Sequence, residues 1–382
     1  MTRHTPHFSR QLHVGCPNIG NREQLLARIE DILDRRWLTN HGPYVQAFEE
    51  RLCSYLGVKH CIAVCNATVG LEIAVRGLGL GGEVIVPSFT FPATAHALAW
   101  QGITPMFCDV DPETHNIDPE QVERLISPRT TGILGVHVWG NACDTESLAD
   151  IAARKGLRLL YDAAHALGCG HGGQMIGNFG DAEVFSFHAT KFVNSGEGGA
   201  IVTNDDELAD TFRRLRSFGI ENGDVVDVGV NGKMNELSGA MGLTSLESCA
   251  AFIDRNRSNY LAYQSALAGV PGLRLFTPRT TVHNFQYVVV EVDHRQAGLS
   301  RDHLVDLLHA ENVLAKKYFS PGCHRMEPYQ RLSGVASRSL PHTENLCGRL
   351  LQLPTGSAID ADDVRQIGDL LRGMTAKMRR AA

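Results

Sequence analysis

The sequence predicts an α/β protein with a mostly parallel central sheet, followed by a smaller C-terminal α+β unit. Three observations carry that prediction. Between residues 60 and 203, short apolar runs alternate with helical patterns and leave little slack between them. Those runs, such as VIVP and LRLLY, are continuously apolar, as in strands that helices bury on both faces. After about residue 255 the pattern changes to mixed strands and helices, and 382 residues are more than one compact core usually holds. The chain therefore divides, on sequence, into a large α/β unit with N-terminal helices, 1–254, and a small α+β unit, 255–382.

The elements follow in order. Residues 22–36, REQLLARIEDILDRR, repeat apolar side chains at helical spacing. WLTNHGPYV is a turn-rich link, after which Pro43 opens a second amphipathic helix that Gly57 stops. Strands are expected at 60–65, 83–86, 104–108, 132–137 and 157–161, with helices at 68–76, 93–101, 119–126 and 145–155. Two further strands, 183–187 and 199–203, bracket the turn HATK and a Gly-rich segment. Helices are expected at 206–218 and 234–253. Farther on, LRLFT and NFQYVVVEV read as antiparallel strands, SRDHLVDLLHAE as a helix, VLAKKYF as a strand and DADDVRQIGDLLRGM as the last helix. The run GLGLGG follows a helix and precedes a strand. That is the reverse of a dinucleotide-binding fingerprint, so it reads as a helix stop and turn.

Composition removes several functions. A net charge of −6 and the lack of a useful basic run argue against nucleic-acid binding. The first residues have no signal-peptide core, and no stretch approaches the length of a membrane span. Ten cysteines are scattered without a CxxC pair, mostly in apolar runs, which suggests reduced thiols and a cytoplasmic protein. Seventeen histidines form no HExxH and no Cys/His ligand spacing, so no metal site is expected.

The chemistry centres on Lys191, one amine between two apolar strands. A lone lysine is ordinarily an exposed one. A buried amine is costly, but desolvation lowers its pKa and leaves a nucleophile suited to Schiff-base chemistry with a carbonyl or with pyridoxal phosphate. Asn66-Ala67-Thr68 ends a strand and begins a helix, a place where free N–H groups bind phosphate; Thr68 is equally an ordinary N-cap. Asp162 follows the strand LRLLY, where α/β folds put ligands, and a carboxylate there suits a pyridinium nitrogen; the alternative is a helix cap. His165 reads either as a hydrogen-bond partner of a cofactor or as helix packing. Phe91 reads either as a ring-stacking aromatic or as core.

Taken together, WLTNHGP, CNATVGLE, GGEVIVPSFTFPATAHA, FCDVD, GVHVWG, YDAAHALG, FSFHATK, GEGGAIVTND and GVNGKMNELSGAMGL resemble the DegT/DnrJ/EryC1/StrS sugar aminotransferases. The resemblance runs from about Trp37 to Thr355. It implies the type I (aspartate aminotransferase) fold, pyridoxal 5'-phosphate as cofactor and pyridoxamine 5'-phosphate as its amine-carrying form. It makes Lys191 the Schiff-base lysine and proton shuttle, and Asp162 the partner of the pyridine nitrogen. Phe91 takes the ring-stacking position and His165 the place beside the ring oxygen. Ala67, Thr68 and Ser186 resemble the phosphate ligands. Asn231 resembles the asparagine lent by the neighbouring subunit, which implies a homodimer with a shared site. Gly232 and Lys233 stand where many relatives have an aromatic residue and an arginine, so local substrate contacts differ there. NGKM, HATK, DAAHALGC and YFSPGCHRMEPY look like the branch that aminates C4 of a dTDP-linked 4-keto-6-deoxyhexose, with L-glutamate as donor. Amination at C3 of a 3-keto sugar, and a non-catalytic regulatory protein of the same fold, are the alternatives. A related dehydratase would carry His in place of Lys191.

Overall fold

The computed structural model describes residues 5–280, 282–331 and 339–381. Two helices lead in. In α1 (Arg22–Arg35) the Asn21 side chain accepts from the Gln24 N–H, and α2 (Pro43–Leu56) opens on its proline and ends at Gly57 in the left-handed region.

Seven strands form the central sheet: β1 (His60–Val64), β2 (Glu83–Pro87), β3 (Thr104–Cys108), β4 (Thr130–Val136), β5 (Arg158–Asp162), β6 (Ala182–Ser186) and β7 (Gly199–Thr203). Their order across the sheet is β1-β7-β6-β5-β4-β2-β3. β7 runs antiparallel to both of its neighbours, and the other pairs are parallel. Helices α3 (Ala67–Gly77), α4 (Pro92–Ala99), α5 (Pro119–Leu125), α6 (Thr145–Lys155) and α7 (Asp206–Arg216) cross between or follow these strands.

The continuous apolar runs are explained by two cores. Ile62, Val64, Leu160, Val184 and Ile201 pack with Leu71 and Phe212 on one face. Cys61, Ala63, Phe185, Ala200 and Val202 pack with Phe48 and Leu52 on the other. Side chains alternate between faces as strand geometry requires, but both faces are dry.

The helix expected at 234–253 is two helices, α8 (Glu236–Glu247) and α9 (Cys249–Leu267), broken at Ser248. There the Ser248 backbone (φ −94°, ψ 1°) leaves helical geometry and its N–H donates to the Ser245 carbonyl at 3.1 Å, a tightened last turn. Packing of Tyr260, Tyr263 and Leu267 carries α9 well past residue 253. Beyond it, β8 (Leu273–Leu275), β9 (Val288–Val292) and β10 (Leu350–Leu353) form an antiparallel sheet in that order. α10 (Arg301–Ala310), α11 (Pro341–Arg349) and α12 (Ala361–Ala381) complete the C-terminal part; α11 is absent from the sequence reading.

The strand expected at 313–319 is mostly not a strand. Val313–Leu314 pairs in parallel with Leu12–His13, and beyond it Lys316 makes an isolated antiparallel bridge to Gln352. Phe8 and Leu12 are accordingly buried in the C-terminal core beside Val313 and Val288. From Lys316 the chain leaves that pairing, and Lys316, Tyr318 and Phe319 line the cavity described next.

Candidate active site

One cavity of about 620 Å³ opens at the carboxyl ends of β1, β2, β5 and β6. Its lining includes Ala67, Thr68, Phe91, Asp162, His165, Ser186 and Lys191, so seven of the eight site residues expected from sequence meet there.

Lys191 lies in the turn after β6. Its N–H donates to the His188 carbonyl at 2.8 Å, and its Nζ donates to Tyr287 Oη at 2.9 Å. The side chain is partly exposed because the cavity opens beside it, yet desolvation lowers the amine to about 8, against the pull of the Asp162 carboxylate. The reading of Lys191 as a solvent-facing surface lysine does not hold.

Asp162 ends β5 and is buried. Oδ2 accepts from Thr94 Oγ1 at 2.8 Å and Oδ1 from the Ala164 N–H at 3.0 Å. Burial pushes its carboxyl upward; the Ala164 N–H, the Thr94 hydroxyl and the Lys191 charge oppose it. No helix begins at residue 162, so Asp162 caps a turn with one oxygen only. Thr68 is not an N-cap either. Asn66 is, its Oδ1 accepting from the Val69 N–H at 2.9 Å, which leaves Ala67 and Thr68 in the first turn of α3 at the cavity wall. Close approach of β7 sustains this wall, since a Cβ on Gly199 would lie 2.7 Å from the Ala67 nitrogen.

His165 is buried in a turn rather than in a helix. Its Nδ1 accepts from the Trp139 N–H at 3.3 Å, and the two rings stack at 5.7 Å with 11° between planes. Burial and the Lys191 charge hold the imidazole far below its ordinary pKa, so it is neutral, with its proton on Nε2. Phe91 is 55% exposed at the cavity mouth, which removes its reading as core. Ser186, the last residue of β6, accepts weakly from the His188 N–H at 3.4 Å. Asn231 is the exception. It is exposed, outside the cavity lining, and its Oδ1 accepts from Lys233 Nζ at 2.6 Å.

Thr94, Trp139, Tyr287, Lys316, Tyr318 and Phe319 complete the surroundings; on sequence none of them has an individual role, though the loop Lys317 to His324, which holds Tyr318 and Phe319, is one from which sugar contacts are expected. GGEVIVPSFTFPATAHA holds Thr94, GVHVWG holds Trp139 and YFSPGCHRMEPY holds Tyr318 and Phe319, but a motif does not say which of its residues faces the site, and nothing local marks Tyr287.

A nucleophilic amine and a buried carboxylate, set beside a helix N-terminus at the carboxyl ends of a mostly parallel sheet, define a type I pyridoxal-phosphate enzyme. The fit is specific: Asp162 spends one hydrogen bond on each oxygen and keeps acceptor capacity for a ring N–H. The chain belongs to the DegT/DnrJ/EryC1/StrS aminotransferase family, whose profile matches residues 20–372. It is 36% identical over 369 residues to a dTDP-4-amino-4,6-dideoxy-D-glucose transaminase of Shigella dysenteriae, covering 96% of this chain and 99% of that one. A GDP-perosamine synthase of Vibrio cholerae is 32% identical over 360 residues, covering 92% and 96%. Among solved structures, DesI in the presence of its TDP-sugar product aligns with a TM-score of 0.94 and 48% identity, covering 99% of this chain and 97% of that one. The protein is thus a transaminase, and its cofactor is pyridoxal 5'-phosphate.

Proposed function

We propose that the enzyme transfers an amino group from L-glutamate to C4 of dTDP-4-keto-6-deoxyglucose, giving dTDP-4-amino-4,6-dideoxyglucose. The observation that carries this reading is the joining of Lys191 and Asp162 in one cavity of a chain 48% identical to DesI, whose structure was determined with its TDP-sugar product. The Shigella relative's name places the amine at C4, which favours C4 over C3. With both Lys191 and Asp162 in the cavity, a non-catalytic role is not adopted.

In this reading the chain's residues divide the work. Lys191 would hold the cofactor through Nζ, and the same Nζ, once free, would take up and return the proton that the reaction moves. Two tasks for one amine suit a pKa near the working pH. Bound, the cofactor supplies an electron sink for the pair left by a broken C–H bond. Asp162 would keep its ring nitrogen protonated, Phe91 would face the ring from the cavity mouth, and neutral His165 would donate from Nε2 to the ring oxygen. Ala67 and Thr68 at the α3 N-terminus, with Ser186, hold the phosphate.

Asn231 reaches the phosphate of a second copy, which makes the homodimer the active form. The support is the segment leading to it, where Phe218, Ile220, Val225, Val226, Val228 and Val230 are all exposed, a run of apolar side chains of the kind that marks a protein–protein contact. The division into a cofactor unit and a C-terminal unit belongs to the same reading. The core around Phe48 and Phe185, wholly within 1–254, and the core around Val288 and Leu304, mainly within 255–382, support it; Leu12 joins the second, and Cys323, Tyr329 and Leu340 pack into the core beside Ile62 and Leu160. No described helix is long and apolar enough to cross a membrane, and we take the enzyme as cytoplasmic.

A single-turnover experiment tests the substrate. The enzyme is loaded with amine from L-glutamate, freed of donor, and given 4-keto or 3-keto dTDP-sugar separately while the cofactor's visible absorption is followed. Turnover with only the 4-keto sugar is expected. Turnover with only the 3-keto sugar would transfer the reading to C3.

A further inference from the structure

The bond from Lys191 Nζ to Tyr287 Oη, 2.9 Å, joins groups that are 96 residues apart in the chain. Tyr287 precedes β9 and is fixed independently of Lys191. Its ring lies 4.4 Å from that of His165 and meets Trp139 edge-on at 5.4 Å. Nζ is 5.6 Å from the phenol centroid, so it meets the oxygen end and not the face of the ring. Asp162 on β5, His165 in the turn after it, His188 in the lysine's own turn, Glu197 before β7, and Lys316 and Tyr318 from the C-terminal part are the other titratable groups around this cavity.

Burial, with Tyr318 and Asp162 adding to it, holds the phenol well above its ordinary pKa, so Tyr287 stays a neutral hydroxyl. A neutral hydroxyl accepts from an ammonium and donates to an amine. Asp162, an anion, attracts only the ammonium. Tyr287 is therefore the neighbour able to hold Nζ in both of its protonation states.

We propose that Tyr287 is a positioning residue for the proton shuttle: Oη keeps Lys191 Nζ at one place in the cavity while the amine takes a proton from one carbon and returns it to the other. The balance closes on Lys191, whose Nζ gains one proton and loses one; Tyr287 keeps its own throughout. The inference rests on Lys191 being the base of the transaminase proposed above.

Tyr287→Phe removes Oη and keeps the ring contacts. In the holoenzyme, kcat for the L-glutamate half-reaction should fall about 10²-fold, the order of loss that a misplacement of about 1 Å produces, with KM for glutamate little changed. A second readout needs no turnover. In the full chain freed of cofactor, the pH dependence of Lys191 acylation, measured against a Lys191→Ala blank, should move to lower pH, because the ammonium has lost an acceptor. Loss of thermal stability with kcat and the Lys191 titration both at wild-type values would make Tyr287 merely structural and overturn the inference. 3-Fluorotyrosine at 287 keeps the shape and weakens the acceptor, so an intermediate effect supports the inference and a wild-type result opposes it. Lys191→Ala separates the two levels: if it is inactive while Tyr287→Phe is normal, only this inference fails. If it is active, the transaminase reading fails.

Discussion

Thr94→Val probes the buried carboxylate through a residue that the family motifs do not mark as functional. Thr94 and Thr90 are both buried, and Thr94 has one hydroxyl proton, which it gives to Asp162 Oδ2 at 2.8 Å. The 2.8 Å contact between the two threonine hydroxyls is therefore a bond from Thr90 to Thr94. Valine matches threonine in shape and removes one of the two hydrogen bonds that oppose the upward push of burial on Asp162. A hydrogen bond to a charged group contributes about 1.5–3 kcal/mol, and 1.36 kcal/mol corresponds to one pKa unit. Asp162 in the cofactor-free protein should thus titrate about 1–2 pH units higher in the variant.

The sign follows from the ring nitrogen, which needs an ionised carboxylate. In the role proposed for Asp162, binding of pyridoxal 5'-phosphate should be retained above its pKa and weaken as pH falls through it. A pKa already raised by burial is raised further, so the acid-side break in cofactor affinity moves to higher pH while affinity well above the break stays near wild type. Equilibrium titration of cofactor absorbance across pH reads this directly. Thr90→Val leaves the Thr94–Asp162 bond intact and is the control. An unmoved break in Thr94→Val, or an equal movement in Thr90→Val, refutes the reasoning.

Two further outcomes are expected. The attachment of cofactor to Lys191 needs a neutral amine, so its rate should rise with pH through about 8 instead of through the ordinary lysine range; stopped-flow absorbance over pH checks this. Mixed dimers pairing a Lys191→Ala subunit with an Asn231→Ala subunit should keep about half of wild-type activity, because the shared-site homodimer proposed above would leave one of its two sites intact. Mixed dimers without activity would place both residues in the site of their own subunit.

What sequence alone determined is what local physics writes into adjacent residues. The parallel sheet was legible because strands buried on both faces must be apolar at successive positions, and Lys191 and Asp162 could be singled out because Asp162 stands at the end of such a strand and Lys191 in the turn just past another. Thr68 and Asp162 were open to a cap reading because a residue next to a strand end looks alike in either role. Tertiary structure decided the rest. Thr94 reaches Asp162 across 68 residues, and Tyr287 reaches Lys191 across 96, distances at which no spacing rule operates. The break at Ser248 and the early end of the strand after Leu314 were likewise invisible: one is a tightened turn of the backbone within an unbroken helical pattern, the other depends on pairing with Leu12–His13 from the far end of the chain. Periodicity reports which face of an element is dry, whereas the groups that tune a buried amine and carboxylate are chosen by what packs against that face.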